Sequence, residues 1–423
     1  MLTNSYSSKY VVRVGIAMLS CIGLMSCSSL LDDHRPPGSQ ASRQVQWAVD
    51  SVRIALEKSL GNSVPSLSVL IQTPTQRIFV SSVPAGKTPV IETANFRIAS
   101  NSKNFTATAI LNMHEEGWLN YKAHITDLMP GTNMPYVPNT PDWDFPYKKD
   151  ITIEQLLQHS AGVYDVDNDP VPGFNGLSYN QATQIADPTH QFSTEEMVYQ
   201  LTINKLSYGP PGTVYHYSNT GMSMLGYIIK RVYSARSGSA KTYSDYMQQY
   251  VVGPVAVVPL PVYFPDRADD VVLPAPRVEG TLRLPTETIL YGDHNITTHI
   301  GPGNGIGTMA ALNTYIRTLM KGQNVLRPET VKLMQTSVSS VNPTYALGCI
   351  FTPNLGYGHD GVLIGNMSLM MYDPLTDVSV VTYLPLMDFT QGPNGAASVL
   401  KCFETIHDVG YAARAALGYP GKP

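Results

Sequence analysis

The chain has 423 residues, 43% of them apolar and 14% charged, and a formal net charge of -4 at pH 7. That length holds one large or two medium domains with a sizeable core, and the composition suits a globular protein with a weakly charged surface. The charge excludes a basic footprint, so no nucleic-acid partner is expected. The 32 prolines and 25 tyrosines point to long ordered loops and an aromatic-lined surface.

At the N-terminus, Lys9 and Arg13 precede an apolar stretch at 14–25 that is too short to span a bilayer comfortably. It ends Leu24-Met25-Ser26-Cys27. This resembles the lipobox of bacterial lipoproteins, in which the cysteine receives lipid, and it implies a signal peptide over 1–27 with lipidation at Cys27. An ordinary secretory signal is the alternative. Either way the mature protein is expected to be exported, to the bacterial periplasm or to the outer membrane, and on the lipoprotein reading it is held there by the lipid anchor at Cys27. Residues 28–40 are polar and contain proline, as a tether would.

Residues 41–60 carry Val45, Val49, Val52 and Leu56 at helical spacing, with Gly61 as a stop. Two strands are predicted at 67–72 and 77–82, and a short one at 95–99. A helix follows over 104–116, burying Phe105, Ile110, Leu111 and Met113. Residues 151–158 begin another helix, which ends at His159-Ser160-Ala161-Gly162; 163–192 reads as loop. Helices are predicted at 194–206, 221–232 and 244–250. The apolar run 251–264 is interrupted by prolines and is expected to be a buried loop. Further helices fall at 309–320, 327–335 and 396–417, and strands at 345–351, 368–372 and 378–384. Strands at both ends with helices between them give an α+β fold: one antiparallel sheet built from both chain ends, flanked by helices, with an inserted mainly helical region at about 125–300.

The junction between the strand at 95–99 and the next helix carries Ser100-Asn101-Ser102-Lys103. A serine near a helix N-terminus faces unpaired N–H groups and the positive end of the helix dipole, and Lys103 lies one turn on along the same face. That arrangement suits an activated serine nucleophile. Taken alone, Ser with Lys three residues later is also an ordinary cap pattern, and it recurs at Ser398 and Lys401. Asp165, Asp167 and Asp169 read as a solvated loop, because no glycine and glutamate continue a cation-binding pattern. His159, at a helix end, is read as structural. Cys349 and Cys402 are equally consistent with a disulfide or with buried thiols. No metal-ligand spacing is present, so no metal is expected.

Tyr217-Ser218-Asn219 is the one Tyr-x-Asn of the chain, and His359-Asp360-Gly361 is a tripeptide of the form His-or-Lys, x, Gly. Their order after Ser100 and Lys103 resembles the serine β-lactamase and D-Ala-D-Ala carboxypeptidase superfamily, in its class C β-lactamase-like branch. The likeness covers about residues 41–410 and includes 96–99, 156–162 and 211–213. It implies a β-lactamase/transpeptidase-like fold over 41–423 and a cell-envelope serine hydrolase working through an acyl-Ser100 intermediate without metal or organic cofactor.

The resemblance assigns Ser100, Lys103 and Tyr217 to catalysis and Asn219, His359 and Gly361 to substrate binding. The backbone N–H groups of Ser100 and Val362 form the expected oxyanion hole. Tyr217 is a weak base unless cations stabilise its phenolate, a role expected of Lys103 and a protonated His359; which of Tyr217 and Lys103 takes the proton stays open. Gly361 is expected to admit the substrate backbone. Asp360 departs from the residues common in relatives, and a carboxylate directed into the site would repel a substrate carboxylate. The expected substrates are D-amino-acid peptides or amides, such as peptidoglycan-derived peptides. The alternatives are a β-lactamase acting on β-lactams, an esterase acting on esters, and a non-catalytic binder of cell-wall fragments.

Overall fold

The computed structural model describes residues 39–423, so the expected signal peptide, Cys27 and most of the tether lie outside the described residues. Helix α1 (Gln40–Leu60) is capped by Ser39, whose hydroxyl accepts the Ser42 N–H at 3.2 Å. Strands β1 (Leu67–Gln72) and β2 (Arg77–Ser82) follow as an antiparallel hairpin. The strand expected at 95–99 shrinks to β3 (Phe96–Arg97), which pairs with 306–307 outside the main sheet. Then come α2 (Ser102–Glu115), α3 (Ile153–Leu157), α4 (Tyr179–Ala186), α5 (Thr194–Ile203), α6 (Asn219–Ser237) and α7 (Tyr243–Tyr246).

The hairpin of β4 (Gly280–Arg283) and β5 (Thr288–Tyr291) precedes β6 (Ile306–Gly307), α8 (Met309–Met320) and α9 (Pro328–Thr336). The chain closes with β7 (Ile350–Thr352), β8 (Gly356–Leu363), β9 (Asn366–Asp373), β10 (Val378–Leu384), β11 (Met387–Asp388) and α10 (Ala396–Ala416).

Six antiparallel strands run in the order β2-β1-β10-β9-β8-β7, so the first hairpin completes a sheet made by the last strands. Directly opposed residues share a face of a sheet. The register Leu70, Val381, Met370, His359 therefore places all four on one face, toward α2 and α8. The adjacent row, Val69, Thr382, Leu369, Asp360, faces α1 and α10. Both faces are covered, which is why β9 and β10 are buried along their whole length and read as near-continuous apolar runs.

Two expectations change, and one choice left open is decided. Residues 179–186 form a helix inside the stretch read as loop; its only strong signal is the box of Ser178 and Gln181 that caps it. The strand expected at 345–351 is confined to 350–352, and the strand carrying His359 begins only at Gly356. Glycines at 356, 358 and 361 dilute its strand signal. Cys349 and Cys402 are both free and buried, on different elements.

Candidate active site

Ser100 lies in the tight turn Ala99–Asn101 that joins β3 to α2, one turn earlier than a position inside the helix. Ala99 adopts φ 52°, a left-handed conformation that costs a non-glycine residue about 1–3 kcal/mol and persists only where the surroundings over-determine it. They do so here. The Asn101 side chain donates to the Ile98 carbonyl and to Ser368 Oγ, both at 2.9 Å, and Ser102 Oγ accepts the Gly305 N–H at 3.0 Å. The turn is thus bolted to β9 and to the loop before β6, and it leaves Ser100 partly exposed.

Lys103, on the first turn of α2, has no solvent exposure. Its Nζ donates to Ser100 Oγ at 2.9 Å and to the Pro302 carbonyl at 3.1 Å, and lies 4.6 Å from the centre of the Tyr217 ring. Burial pushes its pKa down to about 7, against the pull of Asp165, Asp167 and Asp360 in the other direction. A neutral amine able to take the serine proton is therefore well populated at neutral pH.

Tyr217 stands just before α6, and its phenol reaches the Ser100 hydroxyl. Burial raises its pKa well above the usual value, and the contact with Ser100 offsets this only in part. The phenol is neutral at any ordinary pH. His359 does not supply the cation expected of it: with 0% exposure its imidazole is pushed down to about 4, chiefly by burial, although Asp360 acts in the opposite sense. Of the two bases left open by the sequence, only Lys103 has a pKa suited to the task.

His159 is not a bystander at a helix end. It adopts φ 53°, and its Nδ1 accepts the Ser218 N–H at 3.1 Å while its ring lies 4.3 Å from that of Tyr217. The neighbouring backbone holds the Tyr217 loop as well: Gly212 N–H donates to the Ser160 carbonyl at 2.7 Å and Tyr208 N–H to the Gly162 carbonyl at 2.9 Å. A Cβ on Gly162 would fall 2.1 Å from the Gly209 carbonyl oxygen, so the glycine ending that motif is required by close approach.

Asn219 is the first residue of α6; the cap itself is Ser218, whose Oγ accepts the Gly221 N–H at 3.0 Å. Asn219 Nδ2 donates to Asp167 Oδ2 at 2.7 Å, and Asp167 also accepts from Asn180 Nδ2 at 2.7 Å and faces His299 Nε2 at 3.1 Å. The three aspartates read as a solvated loop are in fact buried. Burial and the neighbouring Asp167 push Asp165 up to about 6. The same burial acts on Asp167, yet His299 and the two asparagine bonds outweigh it and hold that carboxyl below its usual value. Asp169 bonds the Tyr208 hydroxyl. The signal that was there to read is the alternation of Asp165, Asp167 and Asp169 with Val166 and Asn168, Val166 being fully buried.

On β8, Gly361 makes room for the chain rather than for a substrate. A Cβ there would lie 2.4 Å from the Ile98 carbonyl oxygen and 2.7 Å from Asn101 Nδ2, so the glycine lets the Ser100 turn lie against the strand. β7 pairs only with Gly356–Gly358, so among the described residues the β8 edge that includes Val362 has no strand partner on that side. Asp360 is turned away from the pocket by the two-residue alternation, with its carboxylate 4.0 Å from His407 Nε2 on α10. Its charge still acts on Lys103 and Tyr217 at longer range.

The second Ser-x-x-Lys differs throughout. Ser398 Oγ donates to the Asp388 carbonyl at 2.7 Å, and Lys401 Nζ donates to the Ser59 carbonyl at 3.0 Å and to Gln391 at 2.6 Å. The two side chains hold chain ends together. The structure therefore gathers Ser100, Lys103, Tyr217, His359 and Gly361 in one place, ties the Asn219 side chain to Asp167, and adds His159, read from the sequence as structural, and Tyr345, which the sequence reading did not single out.

This fold, with its Ser-Lys-Tyr cluster between a helix and the sheet edge, is that of the β-lactamase/transpeptidase proteins. The Beta-lactamase family model matches residues 54–398, and the chain belongs to that family of serine hydrolases. A penicillin-binding protein of Bacillus subtilis (strain 168) is 26% identical over 189 residues, which is 43% of this chain and 35% of that protein. The chain thus matches about a third of the length of that curated relative. A D-amino acid amidase from Ochrobactrum anthropi SV3 superposes with a TM-score of 0.65 at 16% identity, covering 90% of this chain and 99% of the amidase. A D-stereospecific amidohydrolase from Streptomyces sp. gives 0.62 at 20% identity, with 86% and 98% covered. At these identities the two structures establish the fold.

Proposed function

We propose that the protein hydrolyses amide bonds of D-amino-acid derivatives through an acyl-Ser100 intermediate. The observation that carries this reading is the buried Lys103 amine, 2.9 Å from Ser100 Oγ and poised near pH 7, beside a phenol that stays neutral. Neutral Lys103 takes the Ser100 proton as Oγ attacks the substrate carbonyl. The resulting oxyanion is received by the N–H groups of Ser100 and Val362. Lys103, now an ammonium, returns its proton through the Tyr217 hydroxyl to the departing amine, and the C–N bond breaks. Water then attacks the acyl-Ser100 ester, Lys103 accepts its proton, and as the C–Oγ bond breaks Lys103 returns that proton to Oγ, releasing the acid and restoring Ser100. No cofactor enters this scheme.

Charge selects the substrate. Asp165, Asp167 and Asp360 all act on Lys103, and their field favours a substrate bearing an ammonium over one ending in a carboxylate. D-Aminoacyl amides fit that field better than peptides with a free C-terminus, and the names of the two superposed hydrolases support the same choice. The lipobox-like run ending at Cys27 supports a place in the cell envelope.

The test is intact-protein mass and product release with a D-aminoacyl anilide, its L-enantiomer and a penicillin, each beside Ser100→Ala. Hydrolysis of the D-anilide by wild type alone is the expected result. Consumption of the penicillin with the anilides untouched would replace this reading with a β-lactamase, and turnover by Ser100→Ala would overturn the nucleophile.

A further inference from the structure

Beside the Ser-Lys-Tyr cluster runs a chain of buried hydrogen bonds whose direction can be worked out from its two ends. At one end the Ser218 N–H can only donate, so His159 Nδ1, 3.1 Å away, accepts. A neutral imidazole that accepts at Nδ1 carries its proton on Nε2, and that nitrogen lies 3.1 Å from the Tyr345 hydroxyl. At the other end the Asp360 carbonyl can only accept, so His359 Nδ1, 2.5 Å away, donates and its Nε2 is the free acceptor. That Nε2 lies 2.9 Å from the same Tyr345 hydroxyl. Tyr345 therefore receives the His159 proton and gives its own to His359. Every donor meets an acceptor, and for two neutral rings this is the one arrangement that satisfies all of them.

The chain also closes a box around Tyr217. Ring centres of His159, Tyr345 and His359 lie 4.3, 6.3 and 6.4 Å from that of Tyr217, and Lys103 Nζ covers another side at 4.6 Å. His159 comes from the end of α3, Tyr345 from the segment before β7 and His359 from β8, so the hydroxyl ties the helical region to the sheet across the site.

We propose that Tyr345 is a positioning residue for acyl transfer: its hydroxyl locks His159 and His359 as opposite tautomers, and the locked pair holds the Tyr217 ring against Ser100 and Lys103. The proposal rests on the reading of Ser100 as nucleophile. A proton added to His159 would set its Nδ1–H against the Ser218 N–H, and one added to His359 would set its Nε2–H against the Tyr345 O–H and turn that hydroxyl away, so the lock requires both rings to be neutral. The groups facing the chain act in the same sense on His159, where Lys103, His359 and His216 all oppose a positive charge. At His359, Lys103 opposes it and Asp360, with Oδ1 3.9 Å from Nδ1, favours it. Tyr215 faces Tyr345 from the Tyr217 loop and is neutral.

The test compares wild type with Tyr345→Phe, which keeps the ring in place and removes only the hydroxyl. Long-range proton–nitrogen spectra of the imidazoles, assigned by replacing each histidine in turn, read the tautomers without reference to activity. Wild type should show His159 protonated at Nε2 and His359 at Nδ1, unchanged from about pH 8 to about pH 5.5. In Tyr345→Phe at least one ring should change tautomer or titrate in that range, and kcat on the D-anilide should fall about tenfold or more with KM little changed. Equal tautomers in wild type, or a variant with wild-type kcat and wild-type titrations, would overturn the proposal. Wild-type acylation of Ser100 is scored separately, so failure of the nucleophile reading is seen in wild type and failure of the lock in the variant.

Discussion

Lys103 Nζ and Ser100 Oγ lie 2.9 Å apart at the start of α2, and the lysine has no contact with solvent. A hydrogen bond of that length is common; an amine buried there without an adjacent carboxylate partner is not. Its nearest fixed partners are the serine hydroxyl and the Pro302 carbonyl, neither of which stabilises an ammonium as well as water does. The resulting depression of the pKa is what turns a cap-like motif into a candidate base.

The pH dependence of acylation follows. Lys103 is active when neutral and titrates at about 7, so kcat/KM should fall about tenfold per pH unit below that midpoint. Lys103→Met should lower acylation by at least about 100-fold at pH 8. The same variant should gain stability at low pH. The folded pKa lies below the unfolded 10.5, so the folded state binds fewer protons, and the penalty is full below about 7 and fades as pH rises toward 10.5. Urea midpoints at pH 6 and pH 9 check the sign: the gain must be larger at pH 6.

Acid should unfold the protein through its histidines. His359 titrates at about 4 in the fold, and His159 is also held well below 6.5, so between those values the unfolded chain binds protons that the native one refuses. Stability is present above pH 6.5 and is lost as pH falls, by about 2 kcal/mol for His359 near pH 5, with His159 acting in the same direction. A His359→Gln variant should show a flatter fall in denaturation midpoint between pH 7 and pH 5. A slope equal to wild type would contradict the burial argument.

Gly361→Ala tests the contact between β8 and the nucleophile turn. The added methyl meets the Ile98 carbonyl oxygen at 2.4 Å, so either the turn or the strand must move. The cost in stability should be about 1–3 kcal/mol, as for other overpacked sites. Activity should suffer more, by about 100-fold, because displacement of Ser100 by about 1 Å is enough. Kinetics together with a melting curve separates the two losses.

The two Ser-x-x-Lys pairs should respond differently. Lys401→Ala removes bonds to Ser59 and Gln391 and should leave kcat/KM within about twofold of wild type. Ser398→Ala should cost about 1–2 kcal/mol of stability, since its hydroxyl satisfies the buried Asp388 carbonyl, again without a change in rate.

Replacing Asp360 with Asn should move the acid limb of the rate profile to lower pH, because one of the three carboxylates that raise the Lys103 pKa is removed. The effect is electrostatic and weakens with salt. If the limb stays put, the carboxylate is too well screened beside His407 to influence the site.

Much of this protein was legible before its fold. Helix periods set α1, α2 and α8 to within two residues at each end, because caps and apolar spacing are local facts written in the chain. The residues of the three motifs that the fold brings into one site could be named from their types and order. What only the tertiary structure decided is how those residues behave. The charge on His359 depends on its lying in the row of Leu70, Val381 and Met370, a register set by pairing across four strands. Asp360 faces α10 by the same register, a direction that its place in the third motif left open. His159 and Tyr345 meet across 186 residues of sequence, and nothing local marks them as partners. Chemistry that depends on residue type survives in a one-dimensional reading; chemistry that depends on burial and on which face a residue shares exists only once distant segments are packed together.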